Sequence, residues 1–173
     1  MRKVIVNSTP MIILSKLGLL DLLQTMYGEI VIPDAVYREI SRKNDAIKHA
    51  IEERDWIRVE TIENTNSKLM YKAKLHDGEV EVMILAQEHG GENLVIIDDS
   101  QARKTAEYLG LNLTGTIGVL INAKDKGLVA AVMPIVAGME KNGFYISERQ
   151  KERIKHIARE DQVCGTKKMR TQR

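Results

Sequence analysis

A chain of 173 residues is long enough to bury most of its apolar surface in one core, so a single domain with a tail is expected over two small ones. Hydrophobic and charged fractions of 43% and 29% argue against a disordered or membrane-spanning chain. Lys and Arg total 26 against 24 Asp and Glu, and the net charge of +2 is too balanced to mark an obligate nucleic-acid binder by field strength alone.

Distribution says more than the sum. The end of the chain holds Lys167, Lys168, Arg170 and Arg173 with no acid after Cys164, which divides the sequence into a domain over 1–161 and a basic, flexible tail over 162–173. A single cysteine, Cys164, excludes an internal disulfide and any zinc site built from several thiolates, and suits a reducing, cytoplasmic setting. At the start, polar Asn7, Ser8 and Thr9 interrupt the apolar run, so neither a signal peptide nor a membrane span is predicted.

In chain order, Val4-Ile5-Val6 is β-branched and continuous, the pattern of a parallel strand covered on both faces. Ser8 or Thr9 can cap a helix over Met11 to Leu17 with Pro10 in its first turn. After Gly18 a second apolar segment runs from Leu19 to Met26, and Gly28 precedes the strand Ile30-Val31-Ile32. Pro33-Asp34 opens a helix with Val36, Tyr37 and Ile40 on one face, and another amphipathic stretch spans Asp45 to Glu53. A weaker strand is expected at Ile57 to Val59.

The polar, aperiodic stretch from Glu60 to Ser67 reads as a loop and a candidate hinge or lid. Asp77-Gly78 leads into a well-buried helix over Glu79 to His89, which Gly90 and Gly91 end. Leu94-Val95-Ile96-Ile97 is the second continuous apolar strand, followed by Asp98-Asp99-Ser100 and a helix from Gln101 to Leu109. A short strand near Leu113, a turn at Gly115, and helices over Thr116 to Lys126, Val129 to Asn142 and Ser147 to Asp161 complete the chain. Alternating strands and helices imply a parallel sheet, which binds ligands outside the carboxyl ends of its strands.

That rule draws together Asn7 after the first strand, Glu39 shortly after the second, Glu79 at a helix start, and Asp98 and Asp99 after the Leu94 strand. Several carboxylates converging in one cleft repel one another and lose hydration, and the usual relief is a hard cation such as Mg²⁺ or Mn²⁺. Each residue also has a plainer explanation: Asp99 or Ser100 as a helix cap, Glu79 as a partner of the helix dipole, Glu39 as solvated surface. Their shared placement at strand ends favours the site. No phosphate loop of the form G-x-x-x-x-G-K-[ST] and no G-x-G-x-x-G is present, and His49, His76, His89 and His156 lack paired metal spacing, although His76 can line the cleft.

Five ordered blocks between Val4 and about Ser147 bear a family resemblance: Val6-Asn7-Ser8-Thr9-Pro10-Met11-Ile12, Ile32-Pro33-Asp34-Ala35-Val36-Tyr37-Arg38-Glu39, Asp77-Gly78-Glu79-Val80-Glu81, Ile96-Ile97-Asp98-Asp99-Ser100-Gln101-Ala102-Arg103, and Leu113-Thr114-Gly115-Thr116-Ile117-Gly118-Val119-Leu120. They resemble a PIN-like family related to VapC-type toxins. The resemblance implies a three-layer α/β/α fold with a parallel central sheet of about four to five strands and extra C-terminal helices. It further implies Mg²⁺- or Mn²⁺-dependent hydrolysis of RNA phosphodiesters, with Asn7, Glu79, Asp98 and Asp99 as metal ligands and Glu39, Glu79, Asp98 and Asp99 as the catalytic set. Arg103, Lys104 and Thr116 are the expected nucleic-acid contacts, and single-stranded RNA, a small antitoxin-like protein and a second copy of the chain are the expected partners. One departure stands out: the wider class usually has Asp where this chain has the neutral Asn7, which lowers the expected metal affinity and the acidity of bound water. The alternative is therefore a weakly active or inactive PIN-fold protein that binds RNA or an antitoxin-like partner.

Overall fold

The β-branched runs form a five-stranded parallel sheet, seen in a computed structural model that describes residues 3–71 and 74–161. Its strands are β1 (Val4–Val6), β2 (Ile30–Pro33), β3 (Ile57–Glu60), β4 (Leu94–Ile96) and β5 (Asn112–Thr114), in the spatial order β3-β2-β1-β4-β5. All residues of β1, β2 and β4 are buried, whereas β3 and β5 at the edges are partly open. Central strands covered on both faces need apolar side chains in both directions, which is why they read as unbroken Val and Ile runs.

Register is fixed by Val4, Ile5 and Val6 pairing with Leu94, Val95 and Ile96 on one side, and by Ile5 pairing with Val31 on the other. From β1 the chain builds outward through β2 to β3, then crosses back to β4 and on to β5. The strand order therefore reverses between β1 and β4, and at such a switch point the connections leave in opposite directions and open a crevice at the carboxyl edge.

Ten helices among the described residues flank the sheet: α1 (Ser8–Lys16), α2 (Asp21–Tyr27), α3 (Asp34–Lys43), α4 (Asp45–Glu52), α5 (Lys68–Tyr71), α6 (Asp77–His89), α7 (Ser100–Tyr108), α8 (Thr116–Asp125), α9 (Met133–Lys141) and α10 (Glu148–Ile157). Strands and helices share a single apolar core that includes Ile5, Leu14, Ile32, Met83 and Ile96. No helix among the described residues is long and apolar enough to cross a membrane.

Several boundaries differ from the sequence reading. Helix α1 starts earlier, at Ser8, with Asn7 as its N-cap residue and Pro10 inside the first turn. Helix α9 starts later, at Met133, because Glu160 accepts from the N–H groups of Val132 and Met133 at 2.6 and 2.9 Å while pairing with Lys124 at 2.8 Å. Helix α10 stops at Ile157, ahead of Arg159, whose φ of 55° lies in the left-handed region. The 60–67 stretch is no free hinge or lid: Ile62 is buried, and Glu88 Oε1 accepts from the N–H groups of Glu63 and Asn64 at 2.9 and 2.7 Å. A carboxylate on the far end of α6 supplied those partners, and local polarity could not reveal it. Thr65–Ser67 closes a short 3₁₀ turn into α5. The basic tail and Cys164 lie outside the described residues.

Ile32, at 0% exposure in the interior strand β2, tests this core. Ile32→Ala is expected to lower unfolding stability by about 2–5 kcal/mol, read as a drop in the urea midpoint at constant m.

Candidate active site at the switch point of the sheet

Asn7 sits where β1 ends and α1 begins. Its backbone N–H donates to the Ile96 carbonyl at 3.0 Å, extending the β1–β4 ladder by one bond. A residue in this N-cap position usually turns its side chain back to cap the helix. Asn7 does not: it makes no capping bond, it is 3% exposed, and its buried Oδ1 has no hydrogen-bond partner. Leaving such an acceptor unpaired costs about 1–3 kcal/mol, so this oxygen is held ready for something else.

Gly78, in the first turn of α6, shows where it is held. A Cβ built there would lie 3.5 Å from Asn7 Oδ1, 3.4 Å from Glu39 Oε2 and 3.2 Å from Val36 Cγ2. Two oxygens, one from the end of β1 and one from α3, thus come near the same point, where the tightest neighbour of an added Cβ would be the Val36 methyl. Glu39 is steered there from α3 by Lys43, one turn on, at 2.7 Å. Burial pushes the Glu39 carboxyl up, but hydrogen bonds from Lys43 and Ser8, with the charges of Lys43 and His76, outweigh it and hold Glu39 below its ordinary range.

Glu79 is the opposite case. At 8% exposure its carboxyl is pushed up, first by burial and then by the negative charges of Asp99 and Glu39, against an opposing pull from the His76 backbone N–H and the His76 charge. That N–H donates to Glu79 Oε2 at 2.9 Å, so the side chain folds back over the start of its own helix.

The neighbouring aspartates take different jobs. Asp98 is fastened on both oxygens, Oδ1 accepting from the Thr116 N–H at 2.8 Å and Oδ2 from the Thr116 hydroxyl at 2.6 Å. Burial raises its pKa against these bonds and the nearby Arg103 charge. Asp99 caps α7 through Oδ1, which accepts from Gln101 and Ala102 N–H at 2.9 and 2.8 Å, yet it is exposed and its charge acts on Glu79. Capping and cleft placement are thus compatible in one residue. Among the acids, Glu39, Glu79 and Asp99 share a field, while Asp98 ties β4 to the start of α8.

Two expected nucleic-acid contacts are redirected by the same clamp. Thr116 is fully buried with its hydroxyl on Asp98, so its side chain offers no surface to RNA. Arg103 Nη1 donates to the Ile97 carbonyl at 3.0 Å and packs beside Gly115, where a Cβ would lie 3.1 Å from it and 2.7 Å from Asp98 Oδ1. Lys104 is exposed. Sequence reasoning also passed over a basic rim: an open cavity of 530 Å³ beside Gly78 is lined by Arg38, Glu39, Arg42, Lys43, His76 and Asp77. Arg38, Arg42 and Lys43 were hidden because an exposed helix face is cationic in many proteins. Glu81, fully buried on α6, was likewise missed; its Oε2 accepts from the Ala35 N–H at 2.8 Å and its Oε1 meets Lys68, so it holds the start of α3 against α6.

Among the described residues, no three His, Cys, Asp or Glu side chains stand close enough to hold a metal ion by themselves. The donor set nonetheless fits a hard divalent cation, because the orphaned Asn7 Oδ1 is an oxygen donor of the type such ions take and the carboxyl of Glu79 is only partly relieved by His76. The fold and this edge define a parallel α/β domain with an acidic crevice at its switch point.

Residues 3–160 match a family described as PIN domain, and the chain belongs to that family. PIN domains are generally nucleases that typically use divalent metals, with RNA the suggested substrate. No curated protein matches the chain.

Because the folded state raises the Glu79 pKa above its ordinary 4.5, the charged carboxylate opposes folding. Stability from this group is complete below pH 4.5 and is lost as pH rises through the higher folded value. Glu79→Gln keeps an acceptor for the His76 N–H, and is expected to melt above wild type at pH 7 without metal, with the gap closing near pH 4.5. Adding Mn²⁺ should raise the wild-type melting temperature more than that of the variant, as scanning calorimetry would show.

Proposed function

We propose that this chain is a divalent-metal-dependent endoribonuclease, taking Mg²⁺ or Mn²⁺ and acting in the cytoplasm. The observation that supports it most is the buried, unpartnered Asn7 Oδ1, which with Glu39 Oε2 flanks Gly78, while the charges of Glu39 and Asp99 act on neighbouring Glu79. Asn7, Glu79 and Asp99 supply metal-binding oxygens from three separate elements. Asp98 contributes by anchoring the β4 end to Thr116, with lone pairs left over for the same ion. Glu39, kept ionised by Lys43 and Ser8, orients the attacking water. Arg38, Arg42 and Lys43 line the approach and draw the phosphate backbone toward the acids. A bound divalent ion would acidify its water and neutralise charge developing on the phosphate.

A second reading is a PIN-fold protein that binds without turnover, and the neutral Asn7 together with the absence of a three-acid cluster among the described residues favours it. In either reading the partners are single-stranded RNA, a small antitoxin-like protein and a second copy of the chain, with VapC-type toxins as the related group.

A pool of single-stranded RNA incubated with Mn²⁺ separates the two. Wild type is expected to cleave, Glu79→Gln to lose at least about 100-fold, and Asn7→Asp to act at lower metal concentration because it adds a negative ligand. Cleavage by Asn7→Asp alone would move the natural protein to the binding reading. Failure of all three would remove the metal-site assignment.

A further inference from the structure

We infer that the cavity between α5 and α7 is a base-stacking subsite for single-stranded RNA, placed so that a strand leaving the candidate active site enters it. The identity of the polymer rests on the nuclease reading; the subsite rests on its own geometry. It is an open space of 440 Å³ lined by Tyr71, Lys74, Leu75, Gln101, Lys104 and Tyr108 among others, within the size range of pockets that hold small organic groups.

Both walls begin at the acidic crevice. On one side Lys74 and Leu75 lead directly into His76, whose N–H holds Glu79. On the other, Gln101 donates its N–H to Asp99 Oδ1 at 2.9 Å. The cavity is therefore the next stop along the surface from the site, one residue removed on one wall and two on the other.

Its chemistry is that of a stacking platform. Tyr108 is 90% exposed, in a chain with few aromatic residues, and a tyrosine that served the core would be buried. Tyr71 faces the same space, its hydroxyl donating to Gln87 Oε1 at 3.2 Å, which steadies the ring. Lys74 and Lys104 are exposed, and among the described residues neither has an acid partner and no acid lines the cavity. Aromatic faces interleaved with unpaired lysines suit a strand whose bases are free to stack on protein while its phosphates meet ammonium groups. A duplex cannot use the aromatic part, because its bases are already stacked on each other.

The test is fluorescence anisotropy of a labelled oligoribonucleotide of about 12 nucleotides in EDTA, where binding is read without cleavage. Tyr108→Ala is expected to weaken binding at least about fivefold, Tyr108→Phe to stay within about twofold of wild type, and an oligonucleotide with abasic sites to bind wild type as weakly as the intact one binds Tyr108→Ala. Lys104→Ala should flatten the dependence of log affinity on log salt by about 0.7. Because Tyr108 is on the surface, loss of fold does not confuse the result. Wild-type affinity in Tyr108→Ala, full affinity for the abasic strand, or no RNA binding by wild type would each overturn the subsite. Tyr108-dependent binding with no cleavage in Mn²⁺ keeps the subsite and removes the nuclease; cleavage with binding indifferent to Tyr108 does the reverse.

Discussion

The 3.0 Å hydrogen bond from the Asn7 N–H to the Ile96 carbonyl closes the β1–β4 ladder at the place where the two strands part company. Everything polar in the crevice depends on it. It sets the height of Asn7 relative to the Ile97-Asp98-Asp99 turn, and it commits the Asn7 backbone so that the side chain alone is left to face inward. A register slip of one residue here would send Asn7 to the opposite face of the sheet and carry Asp98 away from Thr116. The apolar Val and Ile runs that fix the register are therefore part of the site, although none of them touches it.

Around that bond the molecule sorts its carboxylates into those that anchor one element to another and those that are left facing like charge. Glu81, Glu88, Glu160 and Asp98 are satisfied by backbone N–H groups, lysine or threonine, and each ties one element to another. Glu79 and Asp99 also accept backbone N–H groups, yet they remain within range of each other's charge and of Glu39. A protein selected for stability alone would not leave one acceptor orphaned at Asn7 and a buried acid raised by its neighbours at Glu79. Both lie at the carboxyl edge of the sheet, and Glu39 links them: its Oε2 comes near Gly78 as Asn7 Oδ1 does, and its charge acts on Glu79.

Much of this was legible in the sequence because its causes are local. Continuous β-branched runs announce central parallel strands, and Asp-Gly and Pro-Asp dipeptides announce helix starts, so a parallel sheet and the placing of Asn7, Glu39, Glu79, Asp98 and Asp99 toward its carboxyl edge followed from topology rules; the order of the strands did not. What could not be read depends on partners distant in sequence. Nothing near Asp98 says that Thr116, 18 residues on, occupies both of its oxygens. Glu160 starting α9 and Glu88 pinning the 63–64 backbone are contacts of the same kind. Glycine was ambiguous as well: Gly78 reads as turn chemistry, whereas in the fold it lets α6 pack closely on α3, where an added Cβ would lie 3.2 Å from Val36 Cγ2.

A neutral Asn rather than an acid at position 7 sets the balance of the crevice in a definite direction. A further acid at position 7 would be almost wholly buried and close to Glu39, and desolvation plus like-charge repulsion would favour its protonated form in the absence of metal. Asparagine avoids that repulsion and leaves a neutral oxygen, so a cation bound here would gain less from position 7 than from a carboxylate. Occupancy of such a site then tracks the free metal concentration over a range where an all-carboxylate shell would already be saturated. Under the nuclease reading proposed above, the activity of this chain would then follow the ion supply as well as the substrate.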